Sequence, residues 1–315
     1  MRLVTIIGGS GFVGRYIAQA MAKRGWRVRV ACRRPNEALF VKPYGVVGQV
    51  EPVQCNIRDD ASLRNVIAGA DAVVNCVGVL FESGKNTFDA VQAEGAGRVA
   101  RIAAEQEDAR MVHISAIGAD ADSEATYART KAAGEAAVLE AKPDAVILRP
   151  SIIFGPEDQF FNRFAAMSRF GPVLPVVGAE TKFQPVWVQD VAEAAALAVE
   201  GKAEPGIYEL GGPNTYSFKG LMQMMLDIIR RRRLILNIPF FAARLQATFL
   251  QLLPNPPLTV DQVRMLERDN VVSEGAKGFA ELEIEPSAAE AIVESYLYAH
   301  RPYGQYTALT GTGES

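Results

Sequence analysis

The chain has 315 residues, 49% of them hydrophobic, and a formal net charge of −3. That length and composition suffice for a sizeable buried core in one large domain, or a domain with a small lobe, and the slightly acidic balance excludes a general electrostatic attraction to nucleic acid. Cys32, Cys55 and Cys76 lack CxxC spacing and read as buried small hydrophobes, while His113 and His300 stand too far apart for a metal cluster or a histidine-based triad. No metal is expected. A strand pattern from Leu3 leaves no room for a charged region followed by the apolar core of a signal peptide, so a cytoplasmic location is expected.

Through the first half, short Val- and Ile-rich runs alternate with helical stretches, the pattern of βαβ units. Strands are predicted at 3–7, 27–32, 50–54, 71–77, 110–115 and 144–148, with helices at 12–24, 60–68, 86–106 and 124–141. Near-continuous apolar strands such as "AVVNCVG" require a sheet covered on both faces, hence a doubly wound parallel α/β sheet with its ligand at the strands' carboxyl ends. After Arg149 the alternation loosens into proline-rich turns, and helices predominate from about 217. The expected domains are 1–165 for the nucleotide-binding sheet with 182–210 returning to it, a smaller, mainly helical lobe of 211–300 with 166–181, and a frayed tail of 301–315.

The first strand runs into "GGSGFVG". Gly8, Gly11 and Gly14 have GxxGxxG spacing between a strand and an amphipathic helix: one glycine for the tight turn, one for backbone approach to a pyrophosphate, one for close helix packing. With Ser10, Phe12 and Val13 they form a Rossmann phosphate loop opening on a helix N-terminus. The second strand ends "VRVACRRP". Cys32 stands where an acid usually holds a ribose 2′-hydroxyl, and Arg33 and Arg34 follow, which favours the 2′-phosphate of NADP(H).

Further on, Tyr127 and Lys131 form YxxxK on a predicted helix, with both side chains on one face. A lysine ammonium beside a phenol stabilises phenolate, as acid–base work requires. Taken with "CNIRD", "NCVG", "VHISAIGA", "ILRPSIIFGP" and "FQPVWVQDVA" in order, these residues resemble the extended and atypical short-chain dehydrogenase/reductase superfamily over about 1–215. The resemblance implies that Asn56 and Ile57 flank an adenine, that Asn75, Cys76, Val77 and Gly78 line the middle of the cofactor, and that Lys131 holds the nicotinamide ribose. Active members add a Ser or Thr hydroxyl from the fifth strand. Our register puts Ala116 there and leaves the set incomplete; a register one residue earlier makes Ser115, Tyr127 and Lys131 a complete constellation. Gln92 also stands where the superfamily usually has Asn.

The C-terminal "LLPNPPLTVDQVRMLERDNVVS" and "YAHRPYGQY" resemble the nucleotide-binding accessory subunits of respiratory complex I and their bacterial relatives. This resemblance implies a structural NADPH without turnover, complex I subunits as partners, and a peripheral place on the cytoplasmic face of the inner membrane. The alternative is an active NADP-dependent reductase, dehydrogenase or epimerase on a nucleotide sugar, quinone precursor or other small carbonyl compound. Independently, Arg230 to Arg233 precede a run, 234–253, in which Arg244 is the only charge. Asn237, Pro239 and Arg244 interrupt it, so it is not expected to span a membrane. Its Phe240, Phe241, Leu245, Phe249 and Leu252 suit either docking on an anionic membrane or partner, or the lobe's own core.

Overall fold

The computed structural model describes residues 1–253 and 256–302; the end of "YAHRPYGQY" and most of the expected tail lie outside them. In chain order the first elements are β1 (Leu3–Ile7), α1 (Phe12–Lys23), β2 (Arg27–Cys32), β3 (Val50–Gln54), α2 (Asp60–Ile67), β4 (Ala72–Asn75), α3 (Glu94–Ala104), β5 (Arg110–Ile114), α4 (Thr126–Ala141) and β6 (Val146–Pro150). Three differ from the sequence expectation. β4 stops at Asn75 because its side-chain carbonyl accepts from the Val77 N–H at 3.1 Å, and this Asx turn bends the chain out of the sheet. The helix expected at 86–106 is a π-helical turn, Asp89–Ala93, followed by α3. Its wide backbone lies against Gly134 of α4, where a Cβ would sit 2.2 Å from the Gln92 carbonyl oxygen. The strand expected at 144–148 runs two residues later, its last carbonyl, on Pro150, accepting from Ile117 N–H at 3.0 Å.

Beyond Pro150 come β7 (Ile153–Phe154), α5 (Phe161–Met167), β8 (Val173–Val177), β9 (Lys182–Phe183), β10 (Val186–Trp187), α6 (Val188–Glu200), β11 (Gly206–Leu210), β12 (Tyr216–Ser217), α7 (Phe218–Ile228), β13 (Leu234–Ile238), α8 (Phe240–Leu250), α9 (Val260–Met265) and α10 (Ala289–Leu297). The chain divides into two compact units, the first made of Met1–Pro150, Val188–Leu210 and Val272–Glu285. Its seven-stranded parallel sheet has the order β11-β6-β5-β4-β1-β2-β3. On one face Leu63, Val66, Val99, Ile102 and Val138 of α2, α3 and α4 pack on Ile7, Val73, Met111 and Ile147. The other face is covered by α1 and α6, whose Ile17, Met21, Val191 and Ala195 are fully buried.

Ser151–Trp187, Gly211–Val271 and the described residues from Pro286 onward form the second unit. Residues 151–165, expected with the large sheet, belong here because β7 pairs with β10 and because Phe154, Phe161 and Ala165 are buried beside Phe183 and Phe218. Conversely, Val272–Glu285 packs with the first unit: the Glu209 carboxylate accepts from Ser273 N–H at 2.8 Å and Glu209 N–H donates to Lys277 O at 2.8 Å. In α8 only Ala243 and Ala247 are buried, and Phe240 is half-buried against them, Val177 and Val263. Phe241 (77%), Leu245, Phe249 and Leu252 are exposed. Among the described residues no helix is long and apolar enough to cross a membrane.

Candidate nucleotide cleft at the carboxyl ends of the sheet

Strand order reverses between β1 and β4, so the loops leaving them diverge and open a crevice. A cleft of about 230 Å³ lies there, walled by Gly8, Ser10 and Gly11 after β1, Cys32 and Arg33 after β2, Asn56, Ile57 and Arg58 after β3, and Cys76, Val77 and Gly78 after β4. Gly8 adopts φ +80°, which L side chains rarely allow, and its N–H is tied to Ala31 O at 2.8 Å. A Cβ on Gly14 would lie 2.5 Å from Gly8 O, so only glycine lets the first turn of α1 close on the loop. Gly11 is the N-cap; Phe12, Val13 and Gly14 form that first turn, with no side-chain cap and no acid. Their N–H groups, which no helix can satisfy internally, are the donors a pyrophosphate needs.

The two arginines after β2 have different surroundings. Arg33 lines the cleft. Arg34 pairs with Glu37 at 3.1 Å and is largely exposed. Burial pushes the Cys32 thiol up despite its hydrogen bond with Ser10, and pushes Cys55 up to about 11 and Cys76 up to about 12, so all three remain thiols at neutral pH.

At the other end of the cleft, the Lys131 ammonium lies 3.4 Å from where a Cβ on Gly78 would be and donates to Ile114 O at 3.2 Å. It is 5.9 Å from the centroid of the Tyr127 ring, which packs edge-on to Phe88. Burial lowers Lys131 to about 8, against the pull of Glu135, and raises the Tyr127 phenol to about 12. The phenol is therefore a neutral proton donor at pH 7. Ser115 follows the end of β5, its N–H on Leu148 O at 2.7 Å; its hydroxyl is buried and has no hydrogen-bond partner among the described residues, Tyr127 included. Ala116 carries no hydroxyl.

Beyond apolar wall residues such as Ile7, Ala31 and Val91, the sequence did not single out Arg58, Val79 or Asn86. Arg58 was within reach, since it directly follows Asn56 and Ile57 in "CNIRD". Val79 and Asn86 carry no local signal; the β4–α3 connection brings them to the wall. Among the described residues no group of three or more His, Cys, Asp or Glu side chains is placed to hold a metal.

Residues 4–211 match the NAD dependent epimerase/dehydratase family. Over 96% of its length the chain is 34% identical to "NADH dehydrogenase [ubiquinone] 1 alpha subcomplex subunit 9, mitochondrial" of Arabidopsis thaliana, covering 79% of that protein. It is also 34% identical to "Ceramide reductase" of Caulobacter vibrioides, over 75% of this chain and 74% of the relative. The fold is shared with an NADPH-dependent quinone oxidoreductase of Escherichia coli, with a TM-score of 0.72 at 15% identity, covering 94% of this chain and 99% of that one. Glycine loop, sheet order and sequence agree: the chain belongs to the NAD dependent epimerase/dehydratase family.

Proposed function

We propose that the protein holds NADPH as a resident nucleotide and serves as an accessory subunit of NADH:ubiquinone oxidoreductase, peripheral on the cytoplasmic face of the inner membrane. The observation that carries this reading is the reach of its similarity to the Arabidopsis subunit: 96% of the chain, far past the family's 4–211. The shared fold reaches as far in the quinone oxidoreductase, 94% of the chain, but at 15% identity, against 34% for the Arabidopsis subunit. Likeness through the second unit favours a shared assembly role.

The chain's own residues suit retention of a nucleotide better than its turnover. The glycine loop and the start of α1 hold the phosphates, Arg33 neutralises a 2′-phosphate, and Lys131, beneath Gly78, is placed for the nicotinamide ribose. NADPH supplies a hydride where a substrate carbonyl is polarised beside it. Here the Tyr127 phenol is held neutral, Ala116 has no hydroxyl, and the buried Ser115 hydroxyl makes no hydrogen bond to that phenol, so the donor pair that polarises a carbonyl is not assembled. Loss of one such donor elsewhere costs about 2.7–4 kcal/mol of transition-state stabilisation.

Purification from native membranes tests the role. The other subunits of complex I should accompany the tagged protein; their absence under conditions that preserve the complex refutes it. The Caulobacter relative and the intact YxxxK favour a second reading, a free NADP-dependent reductase. Under the first reading Tyr127→Phe leaves respiration intact, and the purified protein oxidises NADPH negligibly with carbonyl substrates. Robust substrate-dependent oxidation that disappears in Tyr127→Phe would establish the second.

A further inference from the structure

The connection between β4 and the π-helical turn gives Val79 and Asn86 to the cleft wall, and hydrogen bonds pin it at its root, its far end and its tip. At its root the Gln92 side chain donates to Val79 O at 2.8 Å. At its far end the Glu82 carboxylate accepts from Phe88 N–H at 2.8 Å. Between these, Ser83 and Asn86 exchange backbone hydrogen bonds of 3.2 and 3.0 Å around Gly84, at φ +56°, so the tip is a built turn rather than slack chain. Beside that turn the Arg58 guanidinium reaches over from the end of β3 and donates to Lys85 O at 2.8 Å. Arg58 and Asn86 both line the cleft. Their elements are linked at this end of the cleft by one exposed, charge-assisted bond.

We propose that 79–88 is a lid over the adenine end of the nucleotide cleft and that Arg58 is its latch, a positioning residue that sets how fast the nucleotide enters and leaves. The inference rests on the nucleotide reading of the cleft. With the latch closed, Arg58 and the lid tip join across the cleft, and a dinucleotide seated between Gly11 and Asn56 exits only when the Arg58–Lys85 bond breaks. The Gln92 bond keeps the root of the lid in place meanwhile, so opening is a local swing and not unfolding of the sheet. An exposed bond of this kind makes a weak latch, worth about a tenfold change in rate. A gate also has a kinetic signature of its own: removing it speeds both entry and exit, whereas removing a direct contact to the ligand speeds exit alone.

Full-length protein loaded with NADPH is chased with excess NADP⁺ in a stopped-flow instrument, and association is followed by NADPH fluorescence. Hydrogen exchange of 80–87 is measured on nucleotide-free protein. Arg58→Ala should raise the dissociation rate about tenfold, raise the association rate as well, and speed exchange in 80–87, with the melting temperature of the nucleotide-free protein unchanged. Unchanged rates and exchange overturn the latch. Faster dissociation with unchanged association and unchanged exchange makes Arg58 a direct nucleotide contact, which also overturns it. Failure of the wild-type protein to bind NADPH or NADH defeats the nucleotide reading itself, and the lid with it.

Discussion

Arg33 and Arg34 are neighbours of identical chemistry, yet only the first faces the cleft, the second being paired with Glu37. A charge-assisted hydrogen bond contributes about 1.5–3 kcal/mol, or ten- to a hundredfold in affinity. NADPH should therefore bind at least tenfold tighter than NADH, Arg33→Asp should narrow or reverse that gap, and Arg34→Ala should barely change it. Calorimetric titration with both nucleotides decides, and equal affinities in the parent protein sink the assignment. His113 offers a second test at this scale. Its Nδ1 lies 3.2 Å from the Asn75 amide nitrogen, which can only donate, so the ring proton sits on Nε2, buried and without a partner. Burial, with Lys131 nearby, lowers its pKa from 6.5 to about 3. As pH falls below 6.5 the unfolded chain takes up a proton that the folded chain refuses, so stability declines progressively down to about pH 3. Urea unfolding at pH 7 and pH 5 should show a smaller acid loss in His113→Gln than in the parent; an identical loss would mean that His113 is not the group responsible.

At the scale of elements, the glycine loop and α1 were legible because their requirements are local: a strand, a left-handed glycine and a close approach six residues later all lie within one stretch of chain. α8 was not. Its apolar residues read equally well as core or as docking surface, and the structure divides them, Phe240 toward Val177, Ala243 and Val263, Phe241 and Phe249 outward. Burying an exposed phenylalanine on a partner or membrane is worth roughly 1.5–3 kcal/mol. Arg230 and Arg232, earlier in the chain, are exposed and would add about 1 kcal/mol each on an anionic leaflet, screened by salt. The double variant Phe241→Ser/Phe249→Ser should keep its melting temperature and NADPH affinity but release from membranes at lower salt. Phe240→Ser should instead melt lower. A sedimentation assay beside a thermal melt separates them, and unchanged membrane retention of the double variant would remove α8 from the docking surface.

Across the whole molecule, a ligand that binds only the folded protein stabilises it by mass action, about 2.7 kcal/mol at one hundred times its dissociation constant. NADPH should raise the melting temperature in a concentration-dependent way, and more than NADH at equal concentration; a melt indifferent to both would argue against a resident nucleotide. The sequence by itself determined the parallel sheet, the glycine loop and the YxxxK pair, because strand alternation, glycine spacing and helical periodicity are written in neighbouring residues. Only the tertiary structure decided which arginine faces the cleft, that Arg58 meets Lys85, that 151–165 joins the second unit while Val272–Glu285 returns to the first, and that the Ser115 hydroxyl has no partner. Each of these depends on which distant segments come to lie side by side, and a hydrogen bond between residues 27 or 64 apart, as at Arg58 and at Glu209, leaves no periodic trace in the chain.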